Sequence, residues 1–169
     1  MPFNSKAVAN EFLRLAEAEG RMLTPMALIK LVYFAHGWCL ALTGRPLLDE
    51  NVEAWKYGPV VPSLYHEFKE FGNTPITRHA RKFSFIKLNA DDEPQLSGPD
   101  SEAAKQIIRR VWEVYKNLSP IQLSNLTHFP GSPWSQTPNK EIKGTDIPNT
   151  LIREYFAALA NEQPAHAAG

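Results

Sequence analysis

An apolar stretch between residues 25 and 44 restricts the folds open to this chain more than any other part of the sequence. Thr24 and Pro25 start it, because the threonine hydroxyl can cap free amides and proline gives up no amide that the helix needs. Gly44 can end it. The apolar residues cover more than one helix face: Leu28, Leu31, Val32, Ala35, Trp38, Cys39 and Leu42. Such a helix needs neighbours on several sides, so the pattern predicts a buried central helix.

Further helical patterns lie on both sides of this stretch. Amphipathic spacing predicts a surface helix over residues 5–20 and a long core helix over 101–118, and proline start signals predict helices over 62–72 and from 148 to 162. Ser119 and the residues after it combine a capping box with a proline at the first helical position. A short helix is therefore expected to end near residue 127.

The signals for β structure are weaker than those for helices. Residues 51–55 alternate briefly, and 76–88 are rich in β-branched and aromatic residues, which predicts one or two short strands. An acidic loop over 91–99 is expected to be the most mobile internal segment, and 128–143 holds too many prolines and glycines for regular structure.

The length of 169 residues and the 43% hydrophobic content suit one compact domain with a single core. We therefore predict a mainly α (α+β) fold, a single helical domain over residues 1–162 with a small β element. Residues 163–169 are expected to form a disordered tail.

Charge and cysteine content indicate a cytoplasmic protein. Eighteen basic and eighteen acidic side chains cancel, so no global field favours nucleic acid or anionic membranes. The single Cys39 cannot form an internal disulfide. The apolar run over 28–42 contains Lys30 and His36 and is shorter than the ~20 residues of a spanning helix. No export signal is recognisable, and no membrane association is expected.

Catalytic and metal-binding patterns are missing from the sequence. It has no G-x-S-x-G elbow, phosphate-binding loop or dinucleotide fingerprint. His66 and Glu67 begin like a zinc-protease helix, but Glu70 stands where the second histidine is needed. His36 lies among apolar residues, where a buried, hydrogen-bonded imidazole is commoner than a catalytic one, and an apolar site makes the Cys39 thiol inert. We predict no catalytic residue, metal or cofactor.

One segment gathers large amphipathic rings around a backbone break. Trp55, Tyr57 and Tyr65 surround Gly58 and Pro59. Glycine permits a backbone conformation that other residues resist, and proline fixes the next torsion. The segment is therefore either a rigid structural corner, destabilised by a larger residue if Gly58 has a positive φ, or an anchor for a protein partner.

Three stretches of this sequence resemble the Panacea-domain family of SocA-like, prophage-associated antitoxins. They are 28–38, LIKLVYFAHGW, followed by Gly44 and by PLL at 46–48; 53–62, EAWKYGPVVP, followed by Tyr65 and Phe68; and 123–128, LSNLTH, followed by Pro133 and Trp134. The motif and candidate protein-binding residues are Trp55, Tyr57, Gly58, Pro59, Val60, Tyr65, His36, His128 and Trp134. Trp134 is expected to be partly buried and to tie its loop to the domain.

The resemblance implies an antitoxin that binds and neutralises a toxin encoded beside it, without catalysing a reaction. In the SocA-like case it also implies delivery of the toxin to a proteolytic machine. The chain begins with the first helix of the domain and continues only to a short tail, so a DNA-binding module is not expected. Two alternatives remain, a small hydrolase or transferase that uses His36 and His128, and a DNA-binding regulator. The oligomeric state is left open.

Overall fold

The computed structural model describes residues 1–82, 92–138, 140, 142 and 144–162. The helices are α1 (Ser5–Ala18), α2 (Pro25–Thr43), α3 (Pro62–Phe68) with a 3-10 turn (Lys69–Phe71), α4 (Ser101–Tyr115), α5 (Pro120–Thr127), α6 (Pro133–Gln136) and α7 (Asn149–Glu162); the strands are β1 (Val52–Trp55), β2 (Gly58–Val60) and β3 (Asp146–Ile147). This is the predicted mainly α fold with a small β element.

Helix α2 is the centre of the molecule, as its apolar pattern predicts. The Thr24 side chain accepts a hydrogen bond from the Ala27 amide at 3.4 Å, and Gly44 ends the helix in a left-handed conformation. Helices α1, α3, α4, α5 and α7 all pack against it. By length and apolar composition alone α2 could cross a membrane, but most of it is buried inside the protein, and core helices of soluble proteins meet the same criterion.

Aromatic side chains join α2 to α4 and α7. The Phe34 ring stacks on Tyr115 of α4 with their centroids 4.4 Å apart. Gly37 has no side chain, so the Phe156 ring of α7 lies directly against the α2 backbone, and its edge meets Trp38. The prediction that Leu42 belongs to the buried part of the helix is wrong, because Leu42 lies in the last turn of α2 and is 64% exposed.

Helix α1 is not the surface helix that its apolar stripe predicts. It packs against α2, α3 and α4, and the small residues Ala7, Ala9 and Ala16 allow this close approach on several faces. Asn10 is fully buried, and its amide group donates to the carbonyls of Ala80 and Pro94 while its oxygen accepts from the Ala80 amide. A buried polar group of this kind ties the helix to two loops.

The sheet has the order β2–β1–β3, and both pairings are antiparallel. In the hairpin, Trp55 pairs with Gly58 across a turn made by Lys56 and Tyr57. Strand β3 pairs with β1 through Val52 and Ile147. The strands predicted within 76–88 are wrong for residues 76–82, which form none, and the rest of that range lies outside the described residues.

Two predicted loops are more ordered than their composition indicates. Residues 92–97 have no helix or strand, but Leu96 is buried. The segment over 128–143 contains α6, whose amide at Ser135 is capped by the Ser132 side chain. The prediction that this segment lacks regular structure is therefore wrong. The predicted tail lies outside the described residues.

Candidate functional site

The hairpin turn before β2 is held in a conformation that requires glycine. Gly58 has a φ of +110°. A β-carbon at this position would lie 2.8 Å from Lys30 Nζ, 2.8 Å from Thr127 Oγ1 and 3.2 Å from His128 Cε1. Real β-carbons do not approach other atoms within 3.0 Å, so α2 and α5 close over the Gly58 backbone. The positive φ on which the structural-corner prediction depends is confirmed. We call the cluster of Gly58 with Lys30, Thr127 and His128 the Gly58 corner.

Lys30 of α2 fixes the backbone of the corner from inside. Its side chain is buried, and Nζ donates to the carbonyls of Tyr57 at 3.1 Å and Pro59 at 2.9 Å. No carboxylate of the described residues lies within 4.0 Å of the amine. Burial disfavours the charged form and lowers the pKa of Lys30 to about 7. A single lysine on an otherwise apolar helix is the one feature of the sequence that marks Lys30 as unusual. Nothing in the sequence connects this lysine to the hairpin.

The end of α5 forms the opposite wall of the corner. Thr127 Oγ1 and His128 Nδ1 both donate to the Ser124 carbonyl at 2.6 Å, and Ser124 Oγ donates to the Tyr57 carbonyl at 3.3 Å. The Tyr57 carbonyl therefore accepts from both α2 and α5. Because His128 Nδ1 carries its hydrogen, Nε2 of the neutral ring is the acceptor atom.

Trp134 connects α6 to the hairpin. Its Nε1 donates to the Trp55 carbonyl at 2.6 Å, and its ring meets His128 edge-on with centroids 4.2 Å apart. The side chain is half-buried. The prediction that Trp134 ties its loop to the domain is confirmed.

A groove of about 440 Å³ runs along the outside of the corner. Its aromatic lining consists of Trp55, Tyr57 and Tyr65, and the Tyr65 ring packs edge-on against Trp55 at 4.8 Å. Tyr57 is 65% exposed at the tip of the hairpin. Val60 lines the floor, and Lys30, Lys56 and Lys69 lie along the same groove. The Tyr57 ring is thus presented to solvent on a backbone that Lys30 and Ser124 hold in place.

His36 is separate from this cluster. It is fully buried, its Nδ1 accepts from the Leu48 amide at 3.3 Å, and Nε2 donates to Asn149 Oδ1 at 2.9 Å. Burial lowers the pKa of His36, which favours the neutral ring. The imidazole therefore joins α2 to the segment before β1 and to the start of α7. Among the candidate residues, His36 alone shares no contact with the Gly58 corner or its groove within the described part of the chain.

His36 and His128 have different partners, so the arrangement required by the hydrolase alternative is not formed by the residues described. Within those residues, no three histidine, cysteine, aspartate or glutamate side chains are grouped so that they could hold a metal ion.

Comparisons with known proteins identify the family of this chain. The family model of the SocA-like antitoxin Panacea domain matches residues 28–135, an interval that holds Lys30, the hairpin, His128 and Trp134. The chain is 36% identical over 137 residues to Antitoxin SocA of Caulobacter vibrioides (strain NA1000 / CB15N), which covers 80% of this chain and 71% of that protein. No solved structure matches significantly. The alignment covers more than two thirds of both chains, and the protein belongs to the SocA-like antitoxin family defined by the Panacea domain.

Proposed function

We propose that the protein neutralises a cognate toxin by direct, stoichiometric binding in the cytoplasm, and that the groove beside the Gly58 corner is its binding surface. Residues 1–162 act as one toxin-binding unit. The function is that of a binder and not of an enzyme, and membership of an antitoxin family implies a toxin partner.

The observation that carries the proposal is the exposure of Tyr57 on a fixed backbone. Tyrosine buries a large area at an interface and loses few rotamers, and such residues recur as binding hot spots. The carbonyl of Tyr57 is held by Lys30 and Ser124, so the backbone that carries the ring needs little further ordering when a partner binds.

Tyr57→Ala is expected to abolish or strongly weaken toxin binding while leaving the melting temperature unchanged, because the side chain is mostly solvated. Leu42→Ala is the matched control. Leu42 is equally exposed, at 64%, but lies about 18 Å further along the α2 axis than Lys30. The assay is co-expression with the product of the neighbouring gene, scored by growth rescue, co-purification and melting temperature.

Growth rescue by wild-type protein that never co-purifies with the toxin would contradict the binding mechanism. That result would favour an enzyme that repairs the product of the toxin. Delivery of the toxin to a protease requires the same complex and is measured as a shorter toxin half-life when the antitoxin is present.

A further inference from the structure

The charges along the groove all have one sign. Lys30, Lys56 and Lys69 line it, and no aspartate or glutamate does. Within the described residues, none of the three amines has a carboxylate within ion-pair distance. The nearby Glu67 and Glu70 already bind Arg78, at 2.8 Å and 2.7 Å. The exposed charges of Lys56 and Lys69 are therefore available to an external anion, and Lys30 lines the same groove as a buried amine.

Lys30 gives this anion a specific position. The two carbonyls of Tyr57 and Pro59 take two of the three hydrogens of its ammonium group, and no acceptor for the third lies among the residues described. Burial favours the neutral form of this amine, and a carboxylate that enters the groove would stabilise the charged form. Lys56 and Lys69 lie exposed along the groove and would guide the same group inward.

The rest of the groove is apolar. Met26 and Ile29 of α2 line it opposite the rings of the hairpin and α3, and Met26 is 39% exposed. A volume of about 440 Å³ lies within the range of protein binding pockets. An occupant that suits both parts must carry an apolar side chain and a negative charge close together.

Resting on the proposed function, we infer that the groove binds a segment of the toxin in which an exposed apolar side chain stands beside an aspartate or glutamate. The apolar side chain packs between Met26 and the tyrosine rings, and the carboxylate pairs with the lysines. A protein segment fits better than nucleic acid, because the chain has no net charge and would not attract a phosphate backbone over a distance.

The first experiment maps the contact by crosslinking. A photo-crosslinking phenylalanine analogue replaces Met26 in one variant and Val114, an exposed residue of α4, in the control. Each variant is co-expressed with the product of the neighbouring gene, irradiated and digested for mass spectrometry. We expect the Met26 variant to crosslink to a toxin peptide that has an apolar residue within three positions of an aspartate or glutamate.

The second experiment tests the charges. Lys56→Glu combined with Lys69→Glu is expected to weaken the Kd for the purified toxin at least tenfold. A control with Lys82→Glu and Lys105→Glu changes the net charge equally outside the groove and should bind within twofold of wild type. Replacing the toxin aspartate or glutamate identified by crosslinking with lysine should restore binding to the variant that carries Lys56→Glu and Lys69→Glu.

The outcomes separate the two proposals. Failure of the wild-type proteins to co-purify would refute the proposed function itself. Co-purification with no crosslink from Met26, a crosslink to a segment without a carboxylate, or equal Kd values for both charge variants would refute the inference and leave the antitoxin function in place. Tighter binding of a fluorescein-labelled single-stranded 20-mer oligonucleotide than of the toxin, lost in the groove variant, would assign the lysines to nucleic acid.

Discussion

Replacement of Gly58 by alanine should be among the most destabilising small changes in this protein. Two effects add together at this position. A φ of +110° is outside the region that alanine adopts readily, which costs about 1–3 kcal/mol. The new methyl group would also lie 2.8 Å from both Lys30 Nζ and Thr127 Oγ1, so at least one of these groups must move.

Moving the Lys30 amine also costs free energy, because its hydrogen bonds are lost. Lys30 donates hydrogen bonds to the carbonyls on both sides of Gly58, and a hydrogen bond from a charged group contributes about 1.5–3 kcal/mol. Loss of one such bond and the backbone strain together give an expected destabilisation of about 2.5–6 kcal/mol where Lys30 is charged. That is a large share of the roughly 5–15 kcal/mol by which typical domains are stable.

Urea unfolding followed by tryptophan fluorescence measures this change, because Trp55 and Trp134 both adjoin the corner. The matched control is Gly98→Ala. Gly98 has a similar φ of +95°, but a β-carbon there would meet no atom within 4 Å. The control therefore contains the backbone strain without the crowding, and the difference between the two variants isolates the contacts with Lys30 and Thr127.

Equal destabilisation by the two alanines would refute the argument that α2 and α5 close over Gly58. An unchanged midpoint for both would refute the strain argument as well. A change in the denaturant slope for Gly58→Ala alone would mean that the variant has altered its compactness, and the comparison would then be made by calorimetry.

Three further predictions concern the buried polar groups. The pKa of Lys30 is 10.5 in the unfolded state and about 7 in the folded state, so between pH 7 and pH 10.5 the unfolded state binds more protons. Stability therefore rises with pH in this range. The free energy of unfolding should increase by about 2 kcal/mol from pH 7 to pH 9 in the wild type but not in Lys30→Met. Trp134→Phe removes the donor to the Trp55 carbonyl and should lower the free energy of unfolding by about 1–3 kcal/mol in urea titrations. Asn149→Ala leaves the buried His36 Nε2 hydrogen without an acceptor and should cost about 1–3 kcal/mol in calorimetry, yet leave the Kd for the toxin unchanged.

The helices could be predicted because their signals are local. Thr24 and Gly44 bound α2 as expected, and the capping box predicted at Ser119 is present at the start of α5. Strand β3 could not be predicted, since two residues show no alternation and their pairing with β1 spans about ninety positions. Helix α6 had a Ser132 cap in the sequence, but the surrounding prolines and glycines outweighed it.

The candidate site was predicted in outline. Aromatic crowding around a glycine–proline pair identified the hairpin, and the family resemblance added His128 and Trp134, which do adjoin it. Lys30 was not recognised as the residue that organises the corner, because its contacts depend on how α2 packs against the hairpin. The partners of His36 could not be predicted for the same reason, because Leu48 and Asn149 reach its ring only through the packing of the folded chain.

The hydrogen bonds from Lys30 to the Tyr57 and Pro59 carbonyls make the shape of the hairpin independent of the side chains at its tip. Lys56 and Tyr57 project from a turn whose path is determined by backbone groups and by a glycine. These two positions can therefore be randomised without refolding the scaffold. A combinatorial library at these two positions, selected for survival against unrelated toxins, would use the corner as a fixed frame for evolving new antitoxin specificities.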